Sequence, residues 1–346
     1  MNTEEKTDDR YSSRYIDLLS ERVGGRAIAC SDEWFAECDN LVKPGRGIFK
    51  EGHFVATGQW MDGWESRRSF GRRQRSASAE DFDWCILRLG IPGIVRGFDV
   101  DTNHFRGNAP EFVAVEAANV TGEIDGVTVW TEILSKSATQ AHSQNLFECI
   151  SDQVWTHLRL KMYPDGGISR FRVYGEGQIV RDNFIEGELV DLASVMNGGR
   201  GIAASDMFYS SPSNLVMPGR GVNMGDGWET KRRRDADNDW AIVKLGLTGT
   251  IRKILIDTAH FKGNYPDHMR LEATHTKRDD IGAADVDWQT IIGDTPLYPD
   301  REHLFIEQID AAENAKFTHV RLNIFPDGGI SRLRIFGFPD WEELEK

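Results

Sequence analysis

The chain has 346 residues, of which 40% are hydrophobic and 28% charged. That is room for two globular domains, and no apolar stretch approaches the ~20 residues that a bilayer-spanning helix needs. A formal charge of −14 argues against a general nucleic-acid binder, because neutralising phosphates takes a surplus of Lys and Arg. The four cysteines, Cys30, Cys38, Cys85 and Cys149, form no Cys-x-x-Cys pair and fit neither a disulfide framework nor a zinc ribbon, so a reduced, cytoplasmic protein is expected.

The opening stretch MNTEEKTDDR is polar and acidic and lacks the apolar core of a signal peptide; residues 1–14 are expected to form an N-terminal arm. From Tyr15 onward the chain is built of blocks that return later in the same order. YIDLLSERVGGRAIACSD (Tyr15 to Asp32) returns as LVDLASVMNGGRGIAASD (Leu189 to Asp206), and NLVKPGRG (Asn40 to Gly47) as NLVMPGRG (Asn214 to Gly221). Asp62-Gly-Trp-Glu returns at Asp226, each time followed by a hydroxyl residue and two bases. DWCILRLGIPGIVRGFDVDTNHFRGN (Asp83 to Asn108) returns as DWAIVKLGLTGTIRKILIDTAHFKGN (Asp239 to Asn264), and THLRLKMYPDGGISRFRVYG (Thr156 to Gly175) as THVRLNIFPDGGISRLRIFG (Thr318 to Gly337). The spacing between copies changes only between blocks, as expected when loops vary on a fixed framework. A unit of about 150 residues is a duplicated domain, too long for a solenoid repeat. The expected division is a first repeat at 15–176, a linker at 177–188, a second repeat at 189–338 and a tail at 339–346.

Within each unit the blocks predict strands. Leu158, Leu160 and Met162 alternate with His157, Arg159 and Lys161; Phe171 and Val173 alternate with Arg170 and Arg172. Period-two alternation gives one buried face and one polar face. Pro-Asp-Gly-Gly between these two strands predicts a hairpin turn. Helical periodicity is confined to short stretches such as DLLSERV and SDEWFAEC. Trp60, Trp84 and Trp240 are expected in the core. The predicted fold is all-β: two tandem jelly-roll β-sandwich domains from an internal duplication.

Gly-Gly-Arg…Ser-Asp, Asp-Gly-Trp-Glu-(Ser/Thr)-(Arg/Lys)-Arg, Asp-Thr-x-His-Phe-(Arg/Lys)-Gly-Asn and Pro-Asp-Gly-Gly-Ile-Ser-Arg, in order and in two copies, resemble the allantoicase family over about Tyr15 to Gly337. The resemblance implies tandem jelly rolls related to galactose-binding-like domains. It also implies hydrolysis of allantoate to ureidoglycolate and urea, a step of purine (allantoin) degradation.

That chemistry sets three demands. Allantoate carries a carboxylate and two ureido groups on one carbon, so a cationic clamp must hold the carboxylate. A general acid must protonate the departing urea nitrogen, and a general base must activate water. No covalent nucleophile is needed, and no Gly-x-Ser-x-Gly signature is present. The candidate acids and bases are Asp62, Glu65 and His104, with their copies Asp226, Glu229 and His260. The candidate substrate-binding residues are Arg67, Arg68, Arg106 and Arg170, with Lys231, Arg232, Lys262 and Arg332.

Each motif also has a plainer reading. Asp-Gly-Trp-Glu can be a turn whose Trp packs inward, and His104 and His260 can be structural histidines bonded to loop carbonyls. No His-Glu-x-x-His or His-x-x-x-His spacing suggests a metal, so no metal site and no cofactor are expected, with a divalent ion such as Mn²⁺ left open. A tandem carbohydrate-binding or adhesion module is the alternative function. The expected partners are a small-molecule substrate and further copies of the chain, with no nucleic acid and no membrane.

Overall fold

The computed structural model describes residues 10–77, 79–278 and 281–344. The first nine residues of the expected N-terminal arm and the last two of the expected tail lie outside them. The chain divides into two compact units, Met1–Gln178 and Ile179–Lys346. No helix among the described residues is long and apolar enough to cross a membrane.

The first unit contains β1 (Ile16–Asp17), β2 (Arg26–Cys30), β3 (Phe54–Val55), β4 (Gly58–Gln59), β5 (Trp64–Glu65), β6 (Asp83–Asp101), β7 (Phe112–Ala118), β8 (Thr131–Ala138), β9 (Gln144–Glu148), β10 (Val154–Tyr163), β11 (Gly167–Ile168) and β12 (Arg170–Gly177). The second contains β13 (Val190–Asp191), β14 (Arg200–Ala204), β15 (Trp228–Glu229), β16 (Asp239–Asp257), β17 (His268–Thr274), β18 (Gln289–Pro296), β19 (Glu302–Phe305), β20 (Lys316–Phe325), β21 (Gly329–Ile330) and β22 (Arg332–Pro339). All pairings are antiparallel.

The 19-residue strand β6 organises the first unit. Its first half pairs with β2 and β10, and β10 carries β7 and β8 outward. Its second half pairs with β9 and β12, and β12 with β1. The strand thus passes from one layer of a β-sandwich to the other. Its sequence shows how: Cys85, Leu87, Leu89, Ile91 and Val95 hold one phase of buried positions, and Phe98 and Val100 hold the other. One extra residue near Arg96, opposite the register shift at Tyr174/Gly175, moves the buried side chains to the other face. β16 repeats the device, with its register shift between Ile251 and Lys253 and Ile254 and Ile256 buried beyond it.

Two expectations are corrected here. The strands flanking Pro-Asp-Gly-Gly are not a hairpin, because β10 and β12 pair with different halves of β6. Pro164 to Gly167 instead arch between the layers and lead into β11, which pairs with β5: Ile168 lies opposite Trp64 and Gly167 opposite Glu65. Alternation had identified the strands but carries no information about their partners. The core tryptophans are Trp64 and Trp228, both fully buried, with indole N–H groups donating to Asp32 O and Asp206 O at 2.9 Å. Trp60, Trp84 and Trp240 are half-buried. Trp84 and Trp240 fall on the outward phase of the long strands, directly after buried Asp83 and Asp239.

Candidate active site

Four repeated blocks meet at one end of each sandwich. In the first unit, Arg46 of Pro-Gly-Arg-Gly makes a bidentate pair with Asp101 at the end of β6, Nε and Nη2 both at 2.9 Å. Asn40 Nδ2 donates to Gly63 O, and Ser169 Oγ donates to Asp62 O. The fully buried Phe105 packs under the β5–β11 pair so closely that a Cβ at Gly167 would lie 2.0 Å from its ring, and one at Gly63 2.7 Å away. These glycines are required by proximity alone. The second unit repeats the frame with Arg220–Asp257, Asn214–Gly227 and Phe261.

The loop after β6 carries the candidate imidazole. Asp101 Oδ1 accepts from Asn103 N at 2.9 Å, which opens a tight turn. His104 then adopts a left-handed backbone, φ 69°, and His260 does so at 72°. Such a conformation in a non-glycine residue is costly and needs neighbours to hold it. Here the His104 N–H donates to Nδ1 of His142 at 2.9 Å, and the His260 N–H to Oδ1 of Asp300 at 2.8 Å. His260 Nε2 lies 2.7 Å from Gly221 O, an acceptor, so this nitrogen bears the proton. His104 Nε2 makes the same contact with Gly47 O at 3.1 Å. Asn103 Nδ2 lies 3.1 Å from His104 Nε2 and donates to the same Gly47 carbonyl at 3.2 Å; with the Nε2 proton placed on that carbonyl, Nδ1 is the basic nitrogen. Burial, with His142 and Arg106 nearby and only partly offset by the Gly47 bond, lowers the His104 pKa, so the ring is neutral at neutral pH.

The same loop positions the candidate carboxyl. Asn108 Nδ2 donates to Glu65 Oε1 at 2.7 Å, and Asn264 to Glu229 at 2.6 Å. Burial raises the Glu65 pKa, against the Asn108 hydrogen bond and the charge of exposed Arg68; Asp165 adds to the rise. A carboxyl pushed up and an imidazole pushed down are thus both tied to one short loop.

The other predicted residues lie elsewhere in the frame. Asp62 and Arg170 pair with each other at 2.7 Å, their side chains 8% and 4% exposed. Burial opposes ionisation of Asp62, but hydrogen bonds from Arg170 and from Ile48 N hold its carboxyl below the usual range. Asp226 and Arg332 form the equivalent pair at 2.8 Å. Arg67 reaches Asp32, Nε at 2.6 Å, and lies over the Trp34 ring; Lys231 reaches Asp206 at 3.2 Å. Arg68, Arg106, Arg232 and Lys262 are exposed. Lys262 lies 3.8 Å from Asp300, and Arg106 Nη2 lies 3.0 Å from Nε2 of His142.

Sequence reasoning missed four pairs of residues that build this end of the fold. Arg46 and Arg220 stood in a quoted repeat block, as did Asn108 and Asn264, and Asp101 and Asp257 marked a strand end. His142 and Asp300 lie outside every repeated block; what relates them is their shared left-handed backbone, φ 55° and 51°, and the histidine N–H that each accepts. Among the described residues, Cys30, Glu33 and Cys38 bring their ligand atoms within 4.8 Å of one another, in the loop that also holds Trp64 through Asp32 O. None of the predicted acids, bases or clamps belongs to that group.

A family profile, the allantoicase repeat, matches residues 16–178 and 190–340. The allantoicase of Dictyostelium discoideum is 44% identical over 335 residues, covering 94% of this chain and 87% of that protein. A probable allantoicase of Pseudomonas fluorescens (strain Pf0-1) is 44% identical over 332 residues, covering 94% and 96%. The crystal structure of allantoicase from Saccharomyces cerevisiae superposes with a TM-score of 0.78 at 34% identity, covering 95% of this chain and 96% of that one. Two matched repeats and near full-length likeness, in sequence and in fold, mean that this chain belongs to the allantoicase family.

Proposed function

We propose that the chain hydrolyses allantoate to ureidoglycolate and urea in purine degradation, with Glu65, His104 and Arg106 of the first unit carrying the reaction. Arg106 holds the substrate carboxylate. His104 Nδ1 takes a proton from water as the oxygen bonds to the central carbon. The C–N bond to one ureido group breaks, its electron pair goes to the urea nitrogen, and Glu65 protonates that nitrogen. The lone pair of the remaining ureido nitrogen stabilises the electron-poor carbon. Glu65 then regains its proton from the imidazolium through solvent, which closes the cycle.

The observation that carries this reading is the single loop after β6. It supplies the imidazole and the guanidinium, and its Asn108 holds the carboxyl. Asp62 and Arg170 support the site as a buried pair. The carbohydrate-binding alternative is not favoured, because the whole-chain matches are to allantoicases.

The test is urea and ureidoglycolate release from allantoate by the purified chain, with EDTA and with added Mn²⁺. The route uses no metal, so turnover in EDTA is expected. No product under either condition, from folded protein, would sink the reading. The proposal includes a cytoplasmic homo-oligomer. Exposed Trp34, Phe208 and Tyr209 offer apolar surface for self-association, and light scattering and cell fractionation check both points.

A further inference from the structure

The two units share one backbone at the site but not one charge pattern. His142 and Asp300 occupy the same place: each has a left-handed backbone and each accepts the N–H of the histidine in the loop after the long strand. Two residues further on, Gln144 lies opposite Asp101 and Glu302 opposite Asp257. The first unit therefore carries a neutral pair where the second carries two carboxylates.

The consequences for the nearby cations differ. In the second unit, Asp300 accepts from His260 N–H and lies 3.8 Å from Lys262, while Glu302 lies 3.8 Å from Arg220, which already holds Asp257 at 2.8 Å. The unit's own acids answer its exposed bases. In the first unit, His142 spends its one lone pair on His104 N–H, so its proton sits on Nε2. That N–H and the Arg106 guanidinium are then two donors 3.0 Å apart. Among the described residues no carboxylate pairs with Arg106. Two converging donors, one cationic, match the oxygen of a carboxylate. Gln144 gives its own N–H to Asp99 and adds no negative charge.

We propose that allantoate is bound and cleaved in the first unit only: Arg106 and His142 receive its carboxylate there, and in the second unit the carboxylates of Asp300 and Glu302, beside the cations Lys262 and Arg220, repel it. This rests on the allantoate-hydrolysing reading above. It makes His142 a specificity-determining residue, and it makes the second copy of the site a framework without substrate.

Unit-specific variants test the asymmetry. Arg106→Gln should raise KM for allantoate roughly ten- to a hundredfold, the usual loss for a charge-assisted hydrogen bond. His142→Asp gives the first unit the chemistry of the second, keeps an acceptor for His104 N–H, and should raise KM at least about tenfold. Lys262→Gln should leave kcat and KM unchanged. Calorimetric titration with ureidoglycolate, which keeps the carboxylate and one ureido group, should give one site per chain. Asp300→His combined with Glu302→Gln should add a second. Arg106 and Lys262 are exposed, so neither change threatens folding. Equal losses from Arg106→Gln and Lys262→Gln, two equivalent product sites in the unaltered chain, or an unchanged KM in His142→Asp would each overturn the inference. Failure of the unaltered chain to release urea from allantoate would overturn the underlying reading instead.

Discussion

Asp62→Asn separates a chemical role for the Asp-Gly-Trp-Glu aspartate from an architectural one. Arg170 is 4% exposed; its Nη1 donates to Asp62 O at 3.1 Å and Ser169 O at 2.7 Å, and its Nη2 to Asp62 Oδ2 at 2.7 Å. Its Nε has no hydrogen-bond partner. Neutralising Asp62 leaves a buried guanidinium facing only carbonyl dipoles, which costs about 3–5 kcal/mol. For a unit of this size that lowers Tm by roughly 10 °C. Asp226→Asn should cost less: its carboxylate is 12% exposed, and Arg332 has a further acceptor in Gly219 O. The sign of the pH dependence follows from the depressed carboxyl. Its stabilisation is present above the unfolded value of 3.8 and is lost as pH falls through the lower folded value. The assay is a thermal melt at neutral and acid pH, with allantoate turnover measured well below the melt. Early melting with near-normal turnover of the folded fraction is expected. A variant that melts like the unaltered chain and loses turnover a hundredfold would refute the architectural reasoning.

Glu65→Gln should reduce urea release by at least about 100-fold, the usual contribution of a general acid. Because the raised Glu65 pKa makes its ionised form costly once pH exceeds 4.5, the variant should melt no earlier than the unaltered chain at pH 7. Asp165→Asn removes a charge that raises the Glu65 pKa, so the alkaline limb of the kcat/KM profile, where the general acid loses its proton, should move to lower pH. Burial pushes the Asp99 carboxyl up to about 7, against the Gln144 hydrogen bond. Stability should therefore fall as pH rises from 3.8 through about 7, and urea midpoints at pH 5 and pH 8 should converge in Asp99→Asn. Gly167→Ala would place a Cβ 2.0 Å from the Phe105 ring; a loss of about 1–3 kcal/mol in chemical denaturation and weaker turnover are expected.

Much of the fold was legible because duplication and alternation are local signals. Leu158, Leu160, Met162, Phe171 and Val173 are all fully buried, as their period-two spacing requires. Pairing was not legible. The β6 strand spans both layers through one extra residue at Arg96, and the Pro-Asp-Gly-Gly turn meets Asp-Gly-Trp-Glu rather than closing a hairpin. Site residues followed the same division. Glu65 and His104 stood in repeated, chemically suggestive blocks. That Asp62 is paired with Arg170, 108 residues away, depends on the arch that sequence spacing could not show. His142 was hidden because the loop around it does not resemble its counterpart.

A duplicated chain provides its own control. The Asp62–Arg170, Arg46–Asp101, Trp64–Asp32 and Glu65–Asn108 contacts all recur in the second unit with nearly the same lengths. Whatever else these contacts do, both copies need them to build the end of the sandwich, so repetition cannot identify which copy works. Positions where the backbone is kept and the chemistry changes carry the opposite information. Residues 142 and 300 share a left-handed backbone and receive the same N–H. The fold therefore asks only for an acceptor there, and both an imidazole and a carboxylate supply one. The choice between them affects little except the charge presented to a ligand, which is the property that a site for an anionic diureide must control.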